Sequence, residues 1–163
     1  MKRIDLKQHR LENYMCLEFT SRSENVGLAR LAAASFASQL PYTLSEIEEI
    51  KVAISEAVSN CVIHAYARQS DKIIRIQAGI SAEKLEFVVE DWGCGIQDVA
   101  QARKPSVSSD PERMGLGFVF MESFMDFVEI ESEPGQGTRV YLAKNKPVEE
   151  EPDARTASKG DPD

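Results

Sequence analysis

Lys51-Val-Ala-Ile-Ser-Glu-Ala-Val-Ser-Asn-Cys-Val-Ile-His-Ala-Tyr66 reads as one amphipathic helix. Ile47, Ile50, Ile54, Val58, Cys61 and Ala65 follow at three- and four-residue steps, so they lie along one line that faces a core. Glu56 and Asn60 sit near the opposite side, one turn apart, flanked by Val52 and Ile63. Taken alone, such an i, i+4 pair is more often a solvated pair than a site. Set among apolar neighbours, it is also where a ligand on a partly dry surface would meet a carboxylate and a carboxamide. The rest of the chain decides between the two.

Working outward, Thr43-Leu-Ser-Glu46 is a capping box that opens this helix, which should run to about Tyr66. Before it, Tyr14–Thr20 alternates as a strand, and Ser23 caps an Ala- and Leu-rich helix from Glu24 to Leu40, ended by Pro41. After it come strands over Ile73–Ala78 and Leu85–Asp91, joined by a turn at residues 81–84. Residues 97–113 form a long polar loop with a short helical turn near Val99, the kind of segment that serves as a lid. A helix from Met114 to Phe124, a strand over Phe127–Ser132, a turn at 134–137 and a closing strand over Thr138–Ala143 complete the order. This is an α+β, two-layer sandwich, with helices on one face of a mainly antiparallel, mixed sheet.

With 163 residues, the chain suits one domain, placed at 14–146, between an N-terminal arm at 1–13 and a tail at 147–163. The tail carries −4 of the net −8 and its one branched aliphatic residue is Val148, so it cannot offset its ordering entropy and is expected to be disordered. An acidic chain of this kind is not a nucleic-acid binder. No apolar run is long enough to span a bilayer, and no secretory pattern follows the basic first residues, which points to the cytoplasm. Cys16, Cys61 and Cys94 are odd in number and widely spaced, which suits reduced thiols better than a disulfide or metal framework.

Three glycine pairs stand out. Gly93 and Gly95 follow a strand ending in Asp91, Gly115 and Gly117 open a helix, and Gly135 and Gly137 join the last two strands. The last pair is explained by hairpin geometry alone. Glycines at a helix N-terminus let backbone N–H groups approach a phosphate, although one Gly-x-Gly is weak evidence. Taken in order, Glu56-x-x-x-Asn60, Asp91-x-Gly93-x-Gly95, Gly115-x-Gly117 and Gly135-x-Gly137-Thr138 resemble the four nucleotide boxes of the GHKL ATPase/kinase superfamily across roughly residues 14–144. Ser21–Asn25, Ser55–Asn60, His64-Ala-Tyr66 and Met121–Asp126 carry a nearer resemblance to its bacterial anti-sigma F factors, which are serine protein kinases.

That resemblance implies a Bergerat ATP-binding fold and a role for each residue. Asp91 would accept a hydrogen bond from the adenine amino group, a donor that guanine lacks at that position. Gly93 and Gly95 would shape the loop beside the base, and Thr138 would assist at its edge. Asn60 would ligate Mg²⁺ and Glu56 would act as general base towards a serine hydroxyl. Gly115 and Gly117 would close over the phosphates of ATP, with Arg113 on the γ-phosphate. Arg30 matches a protein-docking position, although an exposed helical Arg is usually only a solvated charge. The implied partners are a sigma factor, an anti-anti-sigma protein as phosphate acceptor, and a second copy of the chain. A nucleotide-gated binding module without phosphotransfer and a stress-response anti-sigma kinase are the alternatives. His64 is read as structural, not as a phospho-acceptor. Trp92 either covers the adenine edge or only packs.

Overall fold

The computed structural model describes Leu6, residues 10–105 and residues 115–147. Most of the expected arm, Arg113 and all of the acidic tail beyond Pro147 lie outside the described residues.

Alternation of apolar residues builds the sheet. Strands β1 (Leu11–Thr20), β2 (Ile73–Ser81), β3 (Lys84–Asp91), β4 (Phe127–Glu133) and β5 (Gly137–Asn145) assemble in the order β1-β2-β3-β5-β4. Ile74, Ile76, Ala78, Leu85, Phe87, Val89, Val140 and Leu142 project from one face into the core. Two polar residues end these inward rows: Asp91 follows Leu85, Phe87 and Val89, and Thr138 precedes Val140 and Leu142. A row that would otherwise remain apolar thus terminates in a carboxylate and a hydroxyl, both buried.

All four neighbouring pairs are antiparallel, where a mixed sheet was expected. β3 and β4 do point the same way, but β5 folds back between them, so no parallel pair forms. β1 begins at Leu11, three residues before the alternation from Tyr14 suggests, because exposed Glu12 and Asn13 hide the period at the sheet edge. Leu6 is fully buried against the far face of the sheet, with Val88, Tyr141 and Ala143. The same far face carries a charged ladder, in which Glu90 accepts from Arg139 at 2.5 Å and from Arg75 at 3.3 Å, and Glu18 accepts from Arg75 at 2.6 Å.

Helices α1 (Asn25–Ala37), α2 (Leu44–Asn60) and α4 (Leu116–Phe124) cover the other face, and α3 (Val99–Ala102) is one short turn. Ser23 does not cap α1. Glu24 occupies the cap position without a side-chain bond, and the Ser23 hydroxyl faces the Glu24 carboxylate instead. α1 stops at Ala37 and turns towards Pro41, which disfavours helical geometry in the residue before it. The capping box at Thr43 and Glu46 is present in both directions. α2 buries Ile50, Ala53, Ile54, Ala57 and Val58, a stripe widened by the two alanines.

The expected single helix to Tyr66 is instead two pieces. α2 ends at Asn60, and Cys61–Ala65 form a π-helical turn closed by Tyr66 N–H donating to the Cys61 carbonyl at 3.1 Å. The wider turn holds an extra residue and swings Cys61 and Val62 both inward. The backbone then reverses through Ala67 and Arg68, which have φ of 47° and 64°.

Candidate functional site

A cavity of about 640 Å³ lies between the end of α2, the β3–α3 connection, the start of α4 and β5. That volume suits a small organic ligand. Glu56, Asn60, Asp91, Gly95, Gly115, Gly117 and Thr138 all line it, so residues as far as 82 positions apart in the chain converge on one space. Arg113 lies outside the described residues. Arg30 is not part of the cavity: it is an exposed residue of α1, and its Nε donates to Ser55 Oγ at 2.9 Å.

One end of the cavity is organised around Asp91. Its Oδ1 accepts from Gly93 N–H at 2.9 Å and Thr138 N–H at 3.2 Å, and the Cys61 thiol, which donates to the Ala57 carbonyl at 3.3 Å, lies beside the same carboxylate. Burial pushes the Asp91 carboxyl above the usual carboxylate range, and the neighbouring Gly93 N–H, Cys61 thiol and Thr138 N–H pull it back. The glycines allow backbone-to-backbone packing around it. A side chain on Gly137 would collide with the Asp91 carbonyl, and one on Gly93 with the Ala65 carbonyl. Hairpin geometry alone therefore does not account for Gly137. Its φ of 96° and its contact with the Asp91–Trp92 backbone both require glycine. Gly95 is likewise pressed against the Glu133 backbone, and Gly135 N–H donates to the Cys94 carbonyl at 2.7 Å.

Ser132 and Tyr66 brace this end from outside the lining, and neither was given a role from the sequence. The Ser132 hydroxyl lies 2.9 Å from that of Thr138 and accepts from Ile96 N–H at 2.7 Å. Cys61, placed on the core line by its spacing, is buried in the core and has its thiol beside Asp91. Trp92 does not line the cavity. It is 42% exposed and stacks under the Arg75 guanidinium, 4.8 Å from the ring centre, so it packs on the far side of the turn.

At the other end, Gly117 in the first turn of α4 backs onto α2. A Cβ there would lie 2.9 Å from Glu56 Oε2 and 3.5 Å from Asn60 Nδ2. The absence of a side chain leaves the carboxylate and the carboxamide open towards a helix N-terminus, where anions are favoured. Burial raises the Glu56 carboxyl above its ordinary range, which makes it a better proton acceptor. His64 and Ile63 also line the cavity, whereas Val52, expected beside Glu56, is exposed outside it. Among the described residues, no group of three or more His, Cys, Asp or Glu side chains could hold a metal ion by itself. The Asn60 amide oxygen and the Glu56 carboxylate are hard donors. This set suits Mg²⁺ only when phosphate and water oxygens complete the shell.

A family model described as a histidine kinase-like ATPase domain matches residues 19–144. An anti-sigma F factor from Clostridium beijerinckii is 44% identical over 135 residues, covering 82% of this chain and 94% of that protein. The chain belongs to the anti-sigma F factor family of histidine kinase-like ATPase domains. A second member, from Pasteuria penetrans, is 47% identical over 142 residues, covering 85% of this chain and 92% of its own. Among solved structures, the RsbU and RsbW domains of Rv1364c from Mycobacterium tuberculosis align with a TM-score of 0.60 at 20% identity, covering 83% of this chain and 33% of that longer one. The histidine kinase domain of a blue-light activated kinase from Erythrobacter litoralis aligns at 0.52 and 16% identity, covering 75% and 59%. These two likenesses speak to the fold alone. Membership of an ATPase family implies that the chain binds a nucleotide. No helix among the described residues is long and apolar enough to cross a membrane.

Proposed function

We propose that the chain is a cytoplasmic anti-sigma factor and serine protein kinase. It binds a sigma factor of the F type, as in sporulation, and uses ATP with Mg²⁺ to phosphorylate a serine of an anti-anti-sigma protein. The single observation that carries the kinase reading is the packing of Gly117 against Glu56 and Asn60. It gives one cavity a basic carboxylate and a hard metal donor at a helix N-terminus, with a buried carboxylate acceptor at the other end.

In this reading Asp91 accepts the adenine 6-amino hydrogen bond, with Thr138 beside it and Gly93 and Gly95 shaping the turn. Gly115 and Gly117 present the first turn of α4 to the phosphates, and Arg113 contributes positive charge at the γ-phosphate. Asn60 holds Mg²⁺, which when bound neutralises developing charge on the phosphates. Glu56 takes the proton from the serine hydroxyl as its oxygen bonds to the γ-phosphorus. The bond between that phosphorus and the β–γ bridging oxygen breaks, and ADP leaves.

The sigma-factor partner is supported by the relatives from Clostridium beijerinckii and Pasteuria penetrans, which are anti-sigma F factors by name. Leu28 and Leu31 on α1, 49% and 66% exposed on either side of Arg30, offer apolar surface to a partner protein or a second copy of the chain.

The test is transfer of label from γ-³²P-ATP to the anti-anti-sigma protein by wild type and Glu56→Ala. Label on serine with wild type, and its loss with normal ATP–Mg²⁺ binding in the variant, supports the reading. If wild type binds ATP–Mg²⁺ but labels no protein, the kinase reading fails and a nucleotide-gated binding module remains.

A further inference from the structure

Tyr66 sits outside the cavity lining, yet its side chain and the peptide before it grip the turn that carries Asp91. The ring is buried, with 6% of the residue exposed. Its hydroxyl donates to the Ile73 carbonyl at 2.6 Å and accepts from Trp92 N–H at 2.8 Å. One residue earlier in the chain, the Ala65 carbonyl accepts from Cys94 N–H at 3.0 Å, and the same carbonyl meets the face of Gly93 where a side chain would project. Trp92, Gly93 and Cys94 are thus held in succession from the last turn of the π-helix. The residue just before them is Asp91, whose Oδ1 is fixed by Gly93 N–H.

From this arrangement we infer that Tyr66 is a positioning residue that sets the Asp91 carboxylate for recognition of the adenine amino group. The inference rests on the proposed role of Asp91 and deepens it. The hydroxyl must donate and accept at once, which only a neutral phenol can do. Burial raises the Tyr66 hydroxyl above its ordinary range and keeps it neutral at any physiological pH. The π-helical turn explains why a residue on this segment reaches the site. The extra residue in its coil brings Tyr66 N–H to the Cys61 carbonyl and turns Tyr66 inward beneath β3. Cys61, at the start of the same turn, places its thiol beside the Asp91 carboxylate while donating to the Ala57 carbonyl at 3.3 Å, so one local irregularity flanks Asp91 from two sides.

Positioning differs from plain stability in what it does to selectivity. A buried polar group aimed correctly rejects a ligand lacking its partner far more strongly than a loosely held one. ATP offers Asp91 an amino group, and inosine triphosphate offers a carbonyl oxygen at the same place. The experiment is calorimetric titration of both nucleotides with Mg²⁺ into wild type, Tyr66→Phe and Tyr42→Phe. Tyr42 supplies a matched control, because its hydroxyl also bonds backbone carbonyls, those of Lys144 and Asn145 at 3.1 and 3.0 Å, away from the cavity.

The expected result is a wild-type preference for ATP on the order of tenfold or more, cut at least about threefold in Tyr66→Phe and unchanged in Tyr42→Phe. A folded Tyr66→Phe protein that keeps the wild-type ratio overturns the inference and leaves the role of Asp91 intact. A wild type that binds both nucleotides equally overturns the role of Asp91 itself. A second measurement covers the case in which Tyr66→Phe does not fold. In nucleotide-free wild type, the amide of Trp92 should exchange with solvent as slowly as that of Cys94, since both are held from this segment. Fast exchange at Trp92 beside slow exchange at Cys94 shows that the hydroxyl does not hold the turn, and the inference fails.

Discussion

Gly117 lies so close over Glu56 that a single added methyl carbon would sit 2.9 Å from the carboxylate oxygen Oε2. Its φ is not in the left-handed range, so alanine there brings no backbone strain and the Glu56 side chain can swing aside. Gly117→Ala should therefore fold normally, with Tm within a few degrees of wild type, while displacing the proposed base. Phosphotransfer at saturating ATP is expected to fall by about tenfold or more, since small misplacements at reacting groups are costly. Single-turnover label transfer beside a thermal melt checks both halves.

Glu56 has its carboxyl raised by burial, so it loses its charge at a higher pH than an ordinary glutamate. A general base must be ionised. The transfer rate should therefore drop on acidification with a midpoint above the usual value of about 4.3. A pH profile of kcat/KM measures this, and a midpoint at or below the ordinary value would remove Glu56 from the base role.

Asp91 is also raised, by burial first. A carboxyl with a raised folded-state pKa adds stability below its unfolded pKa, and that contribution is lost as pH rises through the folded value. At neutral pH the buried charge is a net cost. Asp91→Asn keeps an acceptor for Gly93 N–H and Thr138 N–H, so it should raise Tm at pH 7 by about 2–4 °C while abolishing the preference for ATP. The gain should shrink as the melts are repeated at lower pH.

Thr43 lies at the opposite end of α2 from Glu56 and Asn60. Its hydroxyl accepts from Glu46 N–H at 3.2 Å, and Thr43 N–H donates back to the Glu46 carboxylate at 2.7 Å. Thr43→Ala should cost about 1 kcal/mol in urea unfolding. ATP affinity should not change, because nothing in the cavity touches this cap.

Much of this architecture could be read from local pattern. Apolar residues at every second position of β2 (Ile74, Ile76, Ala78) and β3 (Leu85, Phe87, Val89), the capping box, and the 3.6-residue stripe of α2 are each properties of a short window, and each held in space. What escaped were features created by partners distant in sequence or by an extra residue in a coil. The π-turn at Cys61–Ala65 has the same apolar composition as a continuing α-helix, so periodicity could not reveal it. Gly137 looked like a hairpin residue because its neighbour at Asp91 lies forty-six positions earlier. Tyr66 was visible only as part of His64-Ala-Tyr66, since the peptide group that it holds belongs to another strand end.

The place of β5 between β3 and β4 also bears on how the protein is made. Asp91 gains its Thr138 contact only when the last strand inserts into the middle of the sheet. During synthesis from the N-terminus, a chain that has emerged as far as α4 already carries Glu56, Asn60 and Asp91 but lacks one wall of the pocket. Long-range strand pairing of this kind is slow compared with helix formation. Nucleotide can therefore select for completed molecules: the pocket stays open on one side until the final strand arrives, and a ribosome-bound or C-terminally clipped chain should hold it only weakly.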